Sequence, residues 1–356
     1  MRSGNLGKLV WIIVGSGILV LLIWIMSEQN SGPFWGPALN RHSVAGSSSY
    51  FDELWSISNV FIEQGNSGSY LLTTDEAGFL IGSLDQDERY SLTSLDLLTG
   101  RIRWTVKLGL SAPTDASNNS KYTFLGFAGA GEIAAYSNKN GKRIWSQFLP
   151  GARSIDYIVP TEIDLSVAAT PSHFYLLDGD TGEVIKSIDY AEARPVFFEN
   201  NGIRYSSESL TSFRATDSRT GVIIWEAWFD DVIAYPPVFD DNHIFLRTGE
   251  WTGRIYALDR LTGAILWHTA DNVITNVAIG DTAVYFLAAE GKLFALDAKT
   301  GSQLGTVSFE PNVLELKDPE LHFRGFYVAA SKDVVLLYLG DSRQLFAFSI
   351  SIQEPP

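Results

Sequence analysis

The side chains that could do chemistry are few and scattered. The chain has five histidines and no cysteine. His42, His173, His243, His268 and His322 share no spacing that would gather a zinc ion or pair a base with a nucleophile. Without a thiol there is no thiolate nucleophile, no disulfide, and no lipidated cysteine to act as an anchor. Asp178-Gly-Asp180 is the nearest approach to a calcium loop. Two acids are too few for the six to eight oxygens that calcium takes, and the tripeptide reads as a turn. Asn118-Asn119-Ser120 fits a glycosylation sequon, a triplet common by chance. No phosphate-binding glycine loop is present. The residues therefore point to no catalytic, cofactor or metal constellation, and the question becomes what scaffold they decorate.

The stretch Arg254-Ile-Tyr-Ala-Leu-Asp-Arg-Leu-Thr-Gly-Ala-Ile-Leu-Trp267 reads strand, tight turn, strand. An aspartate can hydrogen-bond forward to its own backbone, and glycine accepts positive φ at no steric cost. The block recurs with turn glycines at Gly100, Gly141, Gly182, Gly221, Gly263 and Gly301, in steps of 41, 41, 39, 42 and 38. Four copies carry a tryptophan four residues later: Trp104, Trp145, Trp225 and Trp267. A period near 40 in short β-type segments marks a β-propeller, with one four-stranded blade per repeat.

With strands a to d running from the axis outward, the repeat turn joins c to d. Seven c strands can be placed, at residues 92–95, 132–136, 173–177, 210–215, 254–258, 292–296 and 345–348. The a and b strands of the second blade are hard to draw, because residues 111–131 are rich in Ser, Asn and Gly. An eighth blade could lie only in residues 313–323, too short for four strands. The seventh blade lacks its outer strand. Residues 53–57 offer a spare one, with Trp55 in the repeated tryptophan position. Pairing it with residues 345–348 would close the ring and cover an open sheet edge. The fold class expected is thus an all-β, seven-bladed propeller spanning residues 51–350, followed by a short tail at 351–356.

Residues 9–26 are uncharged and mostly apolar, long enough to cross a bilayer core as a helix. Arg2 and Lys8 precede them and the next base is Arg41. This bias places the N-terminus, residues 1–8, in the cytoplasm and the propeller outside it. A cleaved signal peptide is the competing reading, but residues 27–31 lack a small-x-small cleavage site. Residues 27–50, rich in Ser, Gly, Asn and Pro, read as a flexible stalk.

The formal net charge is −15. Residues 1–26 hold two bases and no acid, leaving 24 bases against 41 acids, or −17, on the remainder. Such a surface does not suit nucleic acid, whose phosphates need bases. It also argues against direct docking on anionic lipid.

The repeat Ala-Leu-Asp-x-x-Thr-Gly-x-x-x-Trp resembles the tryptophan-docking repeat of PQQ-like, quinoprotein-type β-propellers, over about residues 50–350. The resemblance implies that Trp55, Trp104, Trp145, Trp225 and Trp267 dock across to neighbouring blades, with the turn glycine giving each indole room. Lys186 and Gly305 stand where tryptophan is expected, so blades three and six should be joined less tightly. The family includes quinone-dependent dehydrogenases and non-enzymatic scaffolds. The dehydrogenases resemble longer, eight-bladed chains with a vicinal cysteine pair against the cofactor, which this chain lacks. The leading expectation is a membrane-anchored, extracytoplasmic, non-catalytic propeller that acts as a protein-interaction scaffold or a ligand-binding module. The alternative is a quinone-cofactor-dependent oxidoreductase.

Propellers bind where d-to-a and b-to-c loops meet at the channel mouth. The candidates there are Arg153, Asp156, Arg194, Asp231, Tyr235, Trp251 and Asn276. Trp251 lies in a longer loop outside the repeat pattern, where it reads equally as an exposed anchor for a partner or as a side chain folded back over its own blade.

Overall fold

The computed structural model describes residues 43–351, apart from 63–69, 84–89, 110–112, 130, 171–172, 190–195, 235, 250–251, 271 and 311–324. All described residues belong to the second of the chain's two units, Ala38–Pro356. The apolar run at 9–26 and the tail beyond Ser351 lie outside the described residues. Among those described, no helix is long and apolar enough to cross a membrane.

Seven antiparallel sheets follow one another, each a blade of the ring. Blade two consists of Pro113–Asn118, Tyr122–Phe127, Glu132–Ser137 and Arg143–Phe148. Its first two strands lie in the stretch 111–131, whose Ser, Asn and Gly content obscures strand patterning. They form because polar residues there bond to neighbouring blades. Asn118 Nδ2 donates to the Thr73 carbonyl at 2.7 Å, and Asn119 Nδ2 to the Thr161 carbonyl at 3.0 Å.

Phe51–Ser58 is the fourth strand of blade seven, against Gln344–Ile350. Glu53 faces Phe348 and Ile57 faces Leu345, so an N-terminal strand closes the ring.

The expected stalk at 27–50 ends earlier than its composition suggests. Ser43–Ser47 is a strand on the outer edge of blade six, paired with Gln303–Glu310. The physical reason is Gly305, which leaves a space where other blades hold tryptophan. A Cβ there would collide with Tyr50 and Ser48. Tyr50 is buried, and its hydroxyl meets that of Tyr285 at 3.1 Å. Phe51, fully buried, packs edge-on against Tyr285 and Phe348. One apolar cluster then runs from Leu287 and Val307 in blade six to Val335 and Leu337 in blade seven. Blade six is therefore joined to blade seven by the incoming chain rather than by a docked indole.

The repeat turns are built alike. Asp96, Asp178, Asp217, Asp259 and Asp297 each accept the backbone N–H and hydroxyl of the threonine three residues on. The threonine hydroxyl is the main cause that holds Asp96, Asp178, Asp217 and Asp259 below the ordinary aspartate range. Asp178 is thus a turn aspartate, and Asp180 pairs with Lys121 at 3.1 Å.

Just beyond each turn, the outer strand carries a one-residue bulge opposite the third strand. The extra residues include Ile144, Ile185, Ile224 and Leu266, all exposed. A bulge re-aims the side chain beside it. Here that neighbour is Trp104, Trp145, Lys186, Trp225, Trp267 or Gly305.

Candidate interaction surface

The tryptophans make a ring of equivalent joints. Trp55, Trp104, Trp145, Trp225 and Trp267 donate their indole N–H to the carbonyls of Leu97, Asn138, Gly179, Arg260 and Ala298, at 2.8 to 3.2 Å. Each acceptor lies three residues before a turn glycine of the next blade. A Cβ on Gly100, Gly141, Gly182, Gly263 or Gly301 would come within 2.8 Å of the indole. Each glycine also sits at positive φ, between 68° and 76°.

Polar side chains make a second set of joints nearer the axis. Tyr70 donates to the Pro113 carbonyl at 2.8 Å and Thr73 to the Ala330 carbonyl at 2.6 Å. Asp115 Oδ2 accepts the Ile158 N–H at 2.6 Å. Full burial pushes the Asp115 carboxyl well above the ordinary range, against the pull of two backbone N–H groups. None of these three stands out by type or spacing. Only the inner-strand register, unreadable in blade two, would have marked them.

The strands put the d-to-a and b-to-c connections on one face of the ring, and the a-to-b and c-to-d turns on the other. Four of the channel-mouth candidates are described. Arg153 is exposed, and its backbone bonds to Gly129 and Thr170. Asp156 lies three residues further, at a bulge of the inner strand Ser154–Pro160. Burial raises its carboxyl, which accepts the Thr170 hydroxyl at 2.7 Å. Asp231 is exposed between blades four and five, and its Oδ1 accepts the Val232 N–H at 2.7 Å. Asn276 is buried. Its Nδ2 donates to the Val328 carbonyl at 2.8 Å and its Oδ1 accepts the Val328 N–H at 2.9 Å. Its amide therefore clamps blade six to blade seven. Arg153 and Asp156 share one strand approach, while Asp231 and Asn276 belong to other blades. Arg194, Tyr235 and Trp251 lie outside the described residues. Among the described residues no group of His, Asp or Glu is arranged to hold a metal ion.

The joint between blades three and four differs from the others. Lys186 turns its ammonium to Glu199 Oε1 at 2.6 Å, and Arg204 reaches Glu199 Oε2 at 3.2 Å. Burial would raise Glu199, but Lys186 and Arg204 outweigh it and hold the carboxyl below the ordinary range. A cleft of about 460 Å³ opens beside this cluster, on the face opposite the channel-mouth candidates.

Known structures share this architecture. BamB from Moraxella catarrhalis superimposes with a TM-score of 0.50 at 13% identity, over 84% of this chain and 100% of that one. A chain of the mitotic checkpoint complex gives 0.63 at 10% identity, over 85% and 95%. The computationally designed Ika8 protein gives 0.52 at 15% identity, over 82% and 99%. At these identities the likeness concerns the fold alone. In sequence, 78 residues are 33% identical to outer membrane protein assembly factor BamB of Francisella salina. That segment is 22% of this chain and 14% of the relative's own length. The family described as outer membrane protein assembly factor BamB matches residues 88–198 and 175–312. With more than half of its length matched, the chain belongs to this BamB family of PQQ-like β-propellers.

Proposed function

We propose that the chain is a non-catalytic scaffold that binds protein partners outside the cytoplasm, held to a membrane by the apolar segment at residues 9–26. The observation that carries this reading is a contrast between joints and surface. The recurring aromatic and polar side chains are consumed in joints between blades. Large apolar side chains meanwhile stand in water at the ends of outer strands, with Phe148 62% and Trp228 63% exposed. Exposed aromatics, with Trp228 beside the acidic pair Asp230 and Asp231, suit a protein partner better than a small substrate. Family membership supports the same reading.

Two measurements test it. A photo-crosslinking amino acid at position 148, 153, 228 or 231 should give discrete protein adducts in intact cells. The reading fails if none of the four positions yields an adduct. Protease added outside sealed cells should digest residues 43–356, and full protection would overturn the proposed topology.

A further inference from the structure

Blade four carries a tryptophan seat with no tryptophan in it. Ser218 lies three residues before Gly221, as Leu97, Asn138, Gly179, Arg260 and Ala298 lie before their glycines. Those five carbonyls accept an indole N–H. Among the described residues no side chain donates to the Ser218 carbonyl. A Cβ on Gly221 would meet nothing within 4 Å.

Three substitutions coincide on the blade-three side. In blades one, two, four and five the tryptophan faces a small residue, Ser94, Ala135, Ala215 or Ala257. Behind that residue stands an aromatic, Phe79, Phe124, Tyr205 or Phe245. In blade three the series reads Lys186, Leu176, Ser166. Lys186 leaves the seat for Glu199. The adjoining cleft of about 460 Å³ is lined by Ile163, Leu176, Glu199 and Gly202, among others. The Gly202 carbonyl accepts the Ser218 N–H at 2.8 Å, so cleft and seat share a wall.

We propose that this seat takes an indole side chain from a protein partner, in a segment with basic residues beside it. The occupant's chemistry follows from the five filled copies. The basic flanks follow from charge. Glu162, Asp164, Glu183 and Asp217 lie on the turns of the two blades. The bases Lys121, Lys186 and Arg204 are already paired with acids, which leaves Arg219, among the described residues, as the one base on these turns against the four acids. This inference rests on the scaffold reading and names where and how one partner engages.

The test uses the full chain in detergent, with empty micelles as blank, and the peptide acetyl-Lys-Trp-Lys-amide. Saturation-transfer NMR should give saturable binding, with Kd on the order of 1 mM for one side chain. A 1-methyltryptophan peptide cannot donate to Ser218 and should bind about fivefold more weakly. Acetyl-Glu-Trp-Glu-amide should also bind more weakly, the difference shrinking as salt rises. The double variant Leu176→Ala, Lys186→Trp refills the seat in cis. It should remain folded, the docked indole offsetting part of the loss of the Lys186–Glu199 pair, and lose binding at least about tenfold. No saturable binding to the wild type, or equal binding of the methylated peptide, would overturn the proposal. So would equal binding by a folded double variant. Crosslinked partners that survive in the double variant would leave the scaffold reading standing while removing this seat from it.

Discussion

Trp55 and Gly100 lock the two ends of the ring together. The indole lies over the glycine, where a Cβ would come within 2.8 Å of its ring, and its N–H reaches Leu97 at 2.8 Å. Trp55 belongs to blade seven and Gly100 to blade one. Gly100→Ala should therefore carry two costs: a non-glycine side chain at φ 68°, and a clash. Gly221→Ala, at φ 74° with open space around it, should carry only the first, about 1 kcal/mol. Gly100→Ala is expected to cost at least about 1 kcal/mol more, by analogy with overpacking a filled site. Urea unfolding of the two variants measures the difference. Equal costs would mean that the indole yields freely.

Truncation tests the closure itself. Removing residues 1–42 leaves both N-terminal strands in place and should hardly change Tm. Removing residues 1–58 uncovers two sheet edges, since Ser43–Ser47 and Phe51–Ser58 serve different blades. It also deletes buried Tyr50 and Phe51 as well as Trp55. A buried aromatic costs about 3–5 kcal/mol to lose. Several of them approach the roughly 5–15 kcal/mol stability of a typical domain. The longer truncation should be unfolded or strongly destabilised at 37 °C. Matching thermal melts would show that the ring closes without these strands.

The blade count and the closing strand were legible because they rest on periodic signals. Turn glycines recur near every 40 residues, and Trp55 matches its repeated position. Ser43–Ser47 was not legible. Its burial pattern is almost wholly exposed, and Ser, Val, Ala and Gly on an edge look like linker. It pairs because blade six lacks an indole at Gly305. That relation becomes visible only when Tyr50 is seen in the gap. Asn276 and Asp115 were obscure for a similar reason. A polar residue on an inner strand can face a channel or a neighbouring backbone, and the sequence alone does not distinguish the two. Lys186 was visible as a departure from the repeat. Its partners Glu199 and Arg204 were not, since neither belongs to the repeated block.

The Lys186–Glu199–Arg204 cluster should behave as a pH-dependent joint. Lys186→Met removes one cation from a buried carboxylate and leaves the other. The loss expected near pH 7 is about 1–3 kcal/mol, the range for charge-assisted bonds. A carboxyl held below its ordinary 4.5 contributes stability above that pH. The contribution disappears as pH falls through the depressed value. The penalty of Lys186→Met should therefore shrink below pH 4.5. A penalty independent of pH from 3 to 7 would show that Lys186 acts through packing alone.

The enzyme alternative has its own measurement. Calorimetric titration of the full chain with pyrroloquinoline quinone, calcium present, should show no saturable binding at micromolar affinity. A clear isotherm would favour the oxidoreductase reading over the scaffold.

Asp115 sets the last expectation. Burial raises its carboxyl well above the ordinary 3.8, and the nearby Asp156 adds to the rise. Burial likewise raises Asp156, and it pushes the intervening Tyr157 phenol up to about 12. In the unfolded chain Asp115 loses its proton near pH 3.8, while the folded chain retains it to higher pH. The stability this group confers is therefore complete below pH 3.8 and declines as pH rises towards the folded value. Asp115→Asn preserves the shape and an acceptor for the Ile158 N–H but cannot ionise. Wild type minus variant stability should fall steadily as pH rises from 4 to 8, read by urea unfolding at each pH. Asp156→Asn should show the same direction with a smaller slope, since that carboxyl is only half-buried. Parallel profiles for wild type and Asp115→Asn would mean that the Ile158 and Ala116 N–H groups fully offset the burial of the charge.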